Sequence, residues 1–100
     1  KGGSQAGVAF FVALYALLHD KPVQAGLVVL GEMTIQGNIL PLRSLVEPLQ
    51  MIMDNGAKRV LVPLSNRRQL LEVPPDVMER VDPIFYSEPL AAALKALGMG

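Results

Sequence analysis

The chain has 100 residues, enough for one domain or part of one. Nine basic residues balance nine acidic ones, so no bulk field draws the chain to nucleic acid or an anionic membrane. It has no cysteine and a single histidine, His19, which excludes a disulfide framework, a thiolate zinc site, a cysteine nucleophile and a histidine metal cluster.

The first predicted element is a buried helix over residues 5–19, built from Ala, Phe, Val, Leu and Tyr, with Ser4 as its N-cap. Asp20-Lys21-Pro22 ends it, because the residue before a proline avoids helical geometry. The continuous apolar run 27–30 suits a central strand. Residues 34–35 read as a further strand, Gly37-Asn38 as a turn and 39–42 as the returning strand of a hairpin.

Ser44-Leu45-Val46-Glu47 has capping-box spacing and predicts a helix running to about Asn55, with Gly56 as its left-handed stop. Pro48 falls near the end of the first turn, where a missing amide costs little. Residues 59–62 form a short buried strand ended by Pro63. Residues 65–72 read as a short helix capped by Ser65, and residues 75–81 as another with proline in its first turn. A last strand over 84–86 and a closing helix over 89–97, stopped by Gly98, complete an alternating pattern. That alternation indicates an α/β (α+β) class with layered sheet and helices.

Hydrophobic residues make up 51% of the chain. A chain of this length buries only about two-thirds of its unfolded surface, so part of this apolar surface must face something outside the chain. The apolar run 6–18 is too short to span a bilayer. Lys1-Gly2-Gly3-Ser4 leads into a helix pattern with no cleavage site, unlike a signal peptide. The expectation is a cytoplasmic protein without membrane contact.

Three segments carry a family resemblance: Lys1-Gly2-Gly3-Ser4-Gln5-Ala6-Gly7, the run from Gly31-Glu32-Met33-Thr34 to Gly37-Asn38-Ile39-Leu40-Pro41, and the run from Gly56-Ala57-Lys58-Arg59 to Pro63. Together they resemble the C-terminal half of the proteolytic domain of the Lon family of ATP-dependent serine peptidases, over residues 1 to about 86. The resemblance implies a single partial domain over 1–100, whose N-terminal strands in the family precede Lys1. Lon enzymes cut with a serine–lysine dyad, on a Lys-Asp-Gly-Pro-Ser-Ala-Gly loop and a Gly-Gly-Leu-Lys-Glu-Lys-Leu helix.

In this sequence the serine position falls on Gln5 and the lysine position on Pro48. The helix motif's other lysine is Val46, the threonine before Gly-Glu is Leu30, and the loop aspartate is Gly2. A carboxamide is a poor nucleophile, and proline has no side-chain nitrogen to act as the general base. No catalytic residue is therefore expected, and the alternative nucleophile is Ser4, one residue before the serine position. No lysine lies near Ser4 in the aligned frame, and Arg43 cannot deprotonate. Glu32 reads as a turn or subunit contact and His19 as a solvated residue at a helix end. Lys58, Arg59, Arg67 and Arg68 are candidate phosphate contacts.

Within the family, Glu47-Pro48-Leu49-Gln50, the run 53–59 and Val81-Asp82-Pro83-Ile84-Phe85-Tyr86 are most similar to Lon-like AAA+ proteins of bacteriophage-exclusion (BREX) defence systems. That resemblance implies a homo-oligomeric ring acting on DNA, with this domain behind an ATPase module. ATP and magnesium would belong to that module, since no Gly-x-x-x-x-Gly-Lys-Ser/Thr occurs here and no cofactor is expected in the chain itself. The implied role is a proteolytically inactive assembly or scaffold module. An active peptidase using Ser4 and a DNA-contact module are the competing expectations.

Overall fold

The computed structural model describes residues 5–99, and only the backbone of Gln5 and Ala6. In chain order the elements are β1 (Gln5–Gly7), α1 (Val8–Leu18), β2 (Leu27–Val29), β3 (Glu32–Thr34), β4 (Ile39–Leu40) and α2 (Val46–Asp54). β5 (Arg59–Pro63), a 3₁₀ helix (Leu64–Glu72), α3 (Pro75–Arg80), β6 (Asp82–Tyr86) and α4 (Pro89–Ala96) follow.

The central layer is a parallel sheet in the order β2-β5-β6, with Val28 opposite Val60 and Leu61 opposite Ile84. Its middle strand is buried on both faces from its second residue on, which is why Val60-Leu61-Val62-Pro63 reads as an unbroken apolar run. The two-residue period of the strand then separates two cores. Val60 and Val62 pack with Leu45, Leu49 and Ile52 of the α2 region and Val77 of α3. Leu61 points the other way, among Val8 and Val12 of α1 and Ala92, Ala93 and Ala96 of α4. The three alanines leave room for α1 to lie close against α4. The layers are therefore α2 and α3, the sheet, then α1 and α4, an α/β arrangement as expected.

A second, antiparallel sheet runs β1-β3-β4. Its hairpin pairs Glu32 with Leu40 and Met33 with Ile39. The turn is closed by the Thr34 N–H donating to the Asn38 carbonyl at 2.9 Å and the Asn38 N–H donating to Thr34 Oγ1 at 3.1 Å.

Three sequence expectations are corrected. The first helix starts at Val8, because Gln5, Ala6 and Gly7 pair as a strand with Thr34, Met33 and Glu32. The cap position is Gly7, with extended φ and ψ, while Ser4 lies outside the described residues. The capping box at Ser44 is half formed. Ser44 Oγ accepts from the Val46 N–H at 3.3 Å, the cap position is Leu45, and α2 begins one residue later than the box implies. Ser65 sits inside the 3₁₀ helix and does not cap it.

Other local readings hold. Pro48 is the third residue of α2, where its absent N–H leaves no intrahelical bond unmade. Gly56 follows the helix with φ +83°.

Candidate functional site

The Gly31-Glu32 corner lies where the two sheets meet. The Leu30 N–H donates to the Leu61 carbonyl at 2.9 Å, which fastens this side of the corner to the parallel sheet. On the other side the Val8 N–H, left without a partner by the start of α1, donates to the Gly31 carbonyl at 3.0 Å. The third fastening is the hydroxyl of Tyr86, at the end of β6, which donates to the Leu30 carbonyl in a short bond. Burial pushes the Tyr86 hydroxyl pKa upward, so it stays a donor at all ordinary pH. Gly31 has φ +118°, and a Cβ there would strike the Tyr86 hydroxyl and come within 3.0 Å of Pro63 Cγ. Glycine is required by both conformation and space.

The loop leading into α2 is held by Asn66, the one buried residue of the polar and charged class among the described residues. Its Oδ1 accepts from the Leu42 N–H at 2.8 Å and its Nδ2 donates to the Leu42 carbonyl at 2.8 Å, pairing with that residue much as a neighbouring strand would. Nδ2 also donates to Gln69 Oε1 at 2.7 Å, and Gln69 Nε2 donates to the Arg43 carbonyl at 3.3 Å. The 3₁₀ helix thereby sets the approach to α2.

Between the corner and the helix lies a pocket of about 440 Å³, walled by Val28 and Leu30 of the β2 edge and by Glu47, Pro48, Met51 and Asn55 of α2 and its end. The structure therefore brings two sequence-predicted site residues, Leu30 and Pro48, into one cavity. Val46 is half-buried and turns instead to the α2–β5–α3 core. Glu32 is exposed beside Gly31. The backbone of Gln5 lies in β1 opposite Thr34, in the strand that also pairs Gly7 with Glu32. Ser4 and Gly2 lie outside the described residues.

The pocket's chemistry is limited. Its polar groups are the Glu47 carboxylate and the Asn55 carboxamide, whose Nδ2 already donates to the Met51 carbonyl at 2.9 Å. Among the described residues no amine or imidazole lines it, and no group of three or more His, Cys, Asp or Glu could hold a metal. Such a cavity can receive apolar groups, but the described residues bring to it no amine to take a proton from a hydroxyl.

The four candidate phosphate contacts do not form one patch. Arg59 donates to Gln24 Oε1 at 2.7 Å, and Arg67 and Arg68 are exposed on the 3₁₀ helix. Lys58 instead shares a notch of about 320 Å³ with Arg80, Met53, Gly56 and Ala57. Sequence reasoning missed Arg80, Asn66 and Tyr86, since each acts on a partner far along the chain. His19 is exposed, with its ring against Tyr15 at a centroid distance of 4.2 Å. Among the described residues no helix is long and apolar enough to cross a membrane.

A parallel α/β layer with a Gly-Glu corner beside the helix that carries the Leu-x-Glu-x-Leu spacing is the frame expected of a Lon-type domain. Residues 1–97 match the Lon protease C-terminal proteolytic domain. The chain belongs to that family. A Lon-like protease BrxL of Escherichia coli is 44% identical over 92 residues, covering 92% of this chain and 13% of that protein. A Lon-like protease BrxL of Bacillus cereus is 36% identical over 95 residues, covering 95% and 14%. A Lon protease of Escherichia coli is 39% identical over 82 residues, covering 82% and 10%. The chain thus spans a small part of each relative's length.

Proposed function

We propose that this Lon-type domain has lost peptide cleavage and serves as a non-catalytic assembly module of a cytoplasmic AAA+ ring, in phage defence of the BREX type. The observation that carries this reading is the shared pocket of Leu30 and Pro48. In a serine–lysine peptidase the corresponding positions are polar, and the lysine amine must take the nucleophile's proton. Here both side chains are apolar, Val46 faces a core, and Gln5 offers a carboxamide in place of a hydroxyl. Nucleotide, magnesium and DNA contacts would then fall to other parts of the polypeptide.

The test is to incubate the intact protein with ATP, magnesium and an unfolded protein substrate, and separately with a fluorophosphonate probe. No cleavage and no labelling are expected. Labelling that disappears in Ser4→Ala would overturn the reading in favour of an active peptidase.

A second reading, contact with a nucleic-acid phosphate, is favoured by the notch that Lys58 shares with Arg80. It predicts salt-sensitive DNA binding by the intact protein that weakens in Lys58→Glu and Arg80→Glu. Binding unchanged by both substitutions would reject it.

A further inference from the structure

We propose that Asn55-Gly56, at the C-terminal end of α2, is a site of spontaneous deamidation in the folded protein, and that the backbone bonds capping the helix set its rate. The inference holds whether or not the domain cleaves peptides.

The chemistry starts from the sequence. The chain has three asparagines, followed in turn by Ile39, Gly56 and Arg67. Deamidation bonds the backbone nitrogen of the following residue to the asparagine Cγ, so a side chain on that residue obstructs it. Glycine has none, and the β-branched Ile39 is the bulkiest neighbour at its Cβ. The Gly56 nitrogen gives its proton to hydroxide and attacks Asn55 Cγ. The bond from Cγ to Nδ2 breaks, and that nitrogen takes a proton from water and leaves as ammonia. Water then adds to one of the two carbonyls of the five-membered imide and breaks its bond to the shared nitrogen. The product is aspartate or, with the backbone rerouted through Cγ, isoaspartate.

The fold opposes this closure without blocking it. α2 ends in two bonds, the Gly56 N–H donating to the Met53 carbonyl at 3.1 Å and the Ala57 N–H donating to the Ile52 carbonyl at 3.2 Å. With Gly56 at φ +83° they form a left-handed helix cap, which occupies the proton that the reaction must remove. Asn55 Nδ2 is also held, by the Met51 carbonyl at 2.9 Å. Asn55 has ψ 3°, which turns the Gly56 nitrogen away from Cγ, so closure requires rotating ψ and breaking both cap bonds. Those bonds lie at the long end of the N–H···O range, Asn55 and Gly56 are exposed, and the space where a Gly56 Cβ would sit is open. A helix end of this kind opens locally far more often than the domain unfolds. Asn66 is the contrast, buried with Oδ1 and Nδ2 both bonded to Leu42.

Conversion changes the pocket as well as the helix. Asn55 lines the cavity of Leu30 and Pro48 together with Glu47, so the product sets a further carboxylate on that wall. The new charge lies at the carbonyl end of α2, next to Asp54, where the helix dipole disfavours an anion. It also takes the amide donor away from the Met51 carbonyl. The last turn of α2 therefore loosens as the pocket becomes more acidic.

The test holds the intact protein in mildly alkaline buffer, folded or unfolded in urea, and follows each asparagine of this segment by peptide mapping with an isoaspartate assay. Asn55 should convert in both states, roughly 10- to 100-fold more slowly in the folded one, as expected for two exposed bonds of ordinary strength. Asn38 and Asn66 should stay intact over the same period in the folded protein. The authentic product, Asn55→Asp, should show faster hydrogen exchange at the Gly56 and Ala57 amides than the parent. No conversion at Asn55 in the folded protein would overturn the proposal. Conversion no slower than in urea would overturn it too, because the cap would then set nothing. Conversion at Asn38 or Asn66 ahead of Asn55 would reject the site, and unchanged exchange in Asn55→Asp would reject the loosening of α2.

Discussion

Replacing Gly31 with alanine should destabilise the fold through two separable terms, and both can be measured. The first is conformational: φ at this residue is +118°, where an L side chain is strained by about 1–3 kcal/mol. The second is steric, since the new Cβ would occupy the place of the Tyr86 hydroxyl, with Pro63 closing the other side. Tyr86 must then withdraw from the Leu30 carbonyl, and losing that buried bond costs about 1–3 kcal/mol. Together they predict a loss of roughly 2–6 kcal/mol, a large share of the 5–15 kcal/mol typical of a domain. For about 100 residues this lowers Tm by on the order of 10–40 °C.

Urea or thermal unfolding of Gly31→Ala, Tyr86→Phe and the double variant forms a complete cycle. Tyr86→Phe alone should cost about 1–2 kcal/mol, because the Leu30 carbonyl loses its donor. It also removes the atom that the new Cβ would strike. The double variant should therefore be less destabilised than the sum of the singles by about 1–2 kcal/mol. A strictly additive cycle, or a Gly31→Ala change within about 0.5 kcal/mol of the parent, would refute the collision argument.

Tyr86 also predicts a loss of stability in alkali. Its pKa in the fold lies above the ordinary tyrosine value near 10, so the unfolded chain releases the proton first. Tyr86's contribution is intact below about pH 10, falls as pH rises beyond that, and should be missing from the unfolding profile of Tyr86→Phe. Asn66→Ala breaks both bonds to Leu42 and should cost about 1–3 kcal/mol, with faster hydrogen exchange at the Leu42 amide as its local signature. Leu61→Ala, at a fully buried position between α1 and α4, should cost about 2–5 kcal/mol in urea unfolding. Gly56→Ala and Gly98→Ala form a matched pair, both at positive φ, one in open space and one against the Gln24 carboxamide. The first should cost about 1 kcal/mol and the second more, because displacing Gln24 also frees Arg59.

What the sequence made legible was set by contacts close along the chain. Arg59-Val60-Leu61-Val62 announces a buried strand, and Gly37-Asn38 announces a turn, which Thr34 closes. The strand Gln5-Ala6-Gly7 reads as helix from sequence alone, since three residues ahead of an apolar helix carry no period of their own. Their state is decided by Glu32, Met33 and Thr34 across the second sheet. The segment after Pro63 reads as a short helix capped by Ser65. The structure makes it 3₁₀ and points Asn66 at Leu42, 24 residues away. The candidate site shows the same division. Spacing and family resemblance located Leu30 and Pro48 one at a time, while only the fold brings them into one cavity. The bond that holds Leu30 there comes from Tyr86, 56 residues on, a donor whose partner no local pattern names. Glycine at 31 is where these levels meet. A local motif preserves it, but the reason it cannot be exchanged is a hydroxyl supplied by the last strand of the sheet.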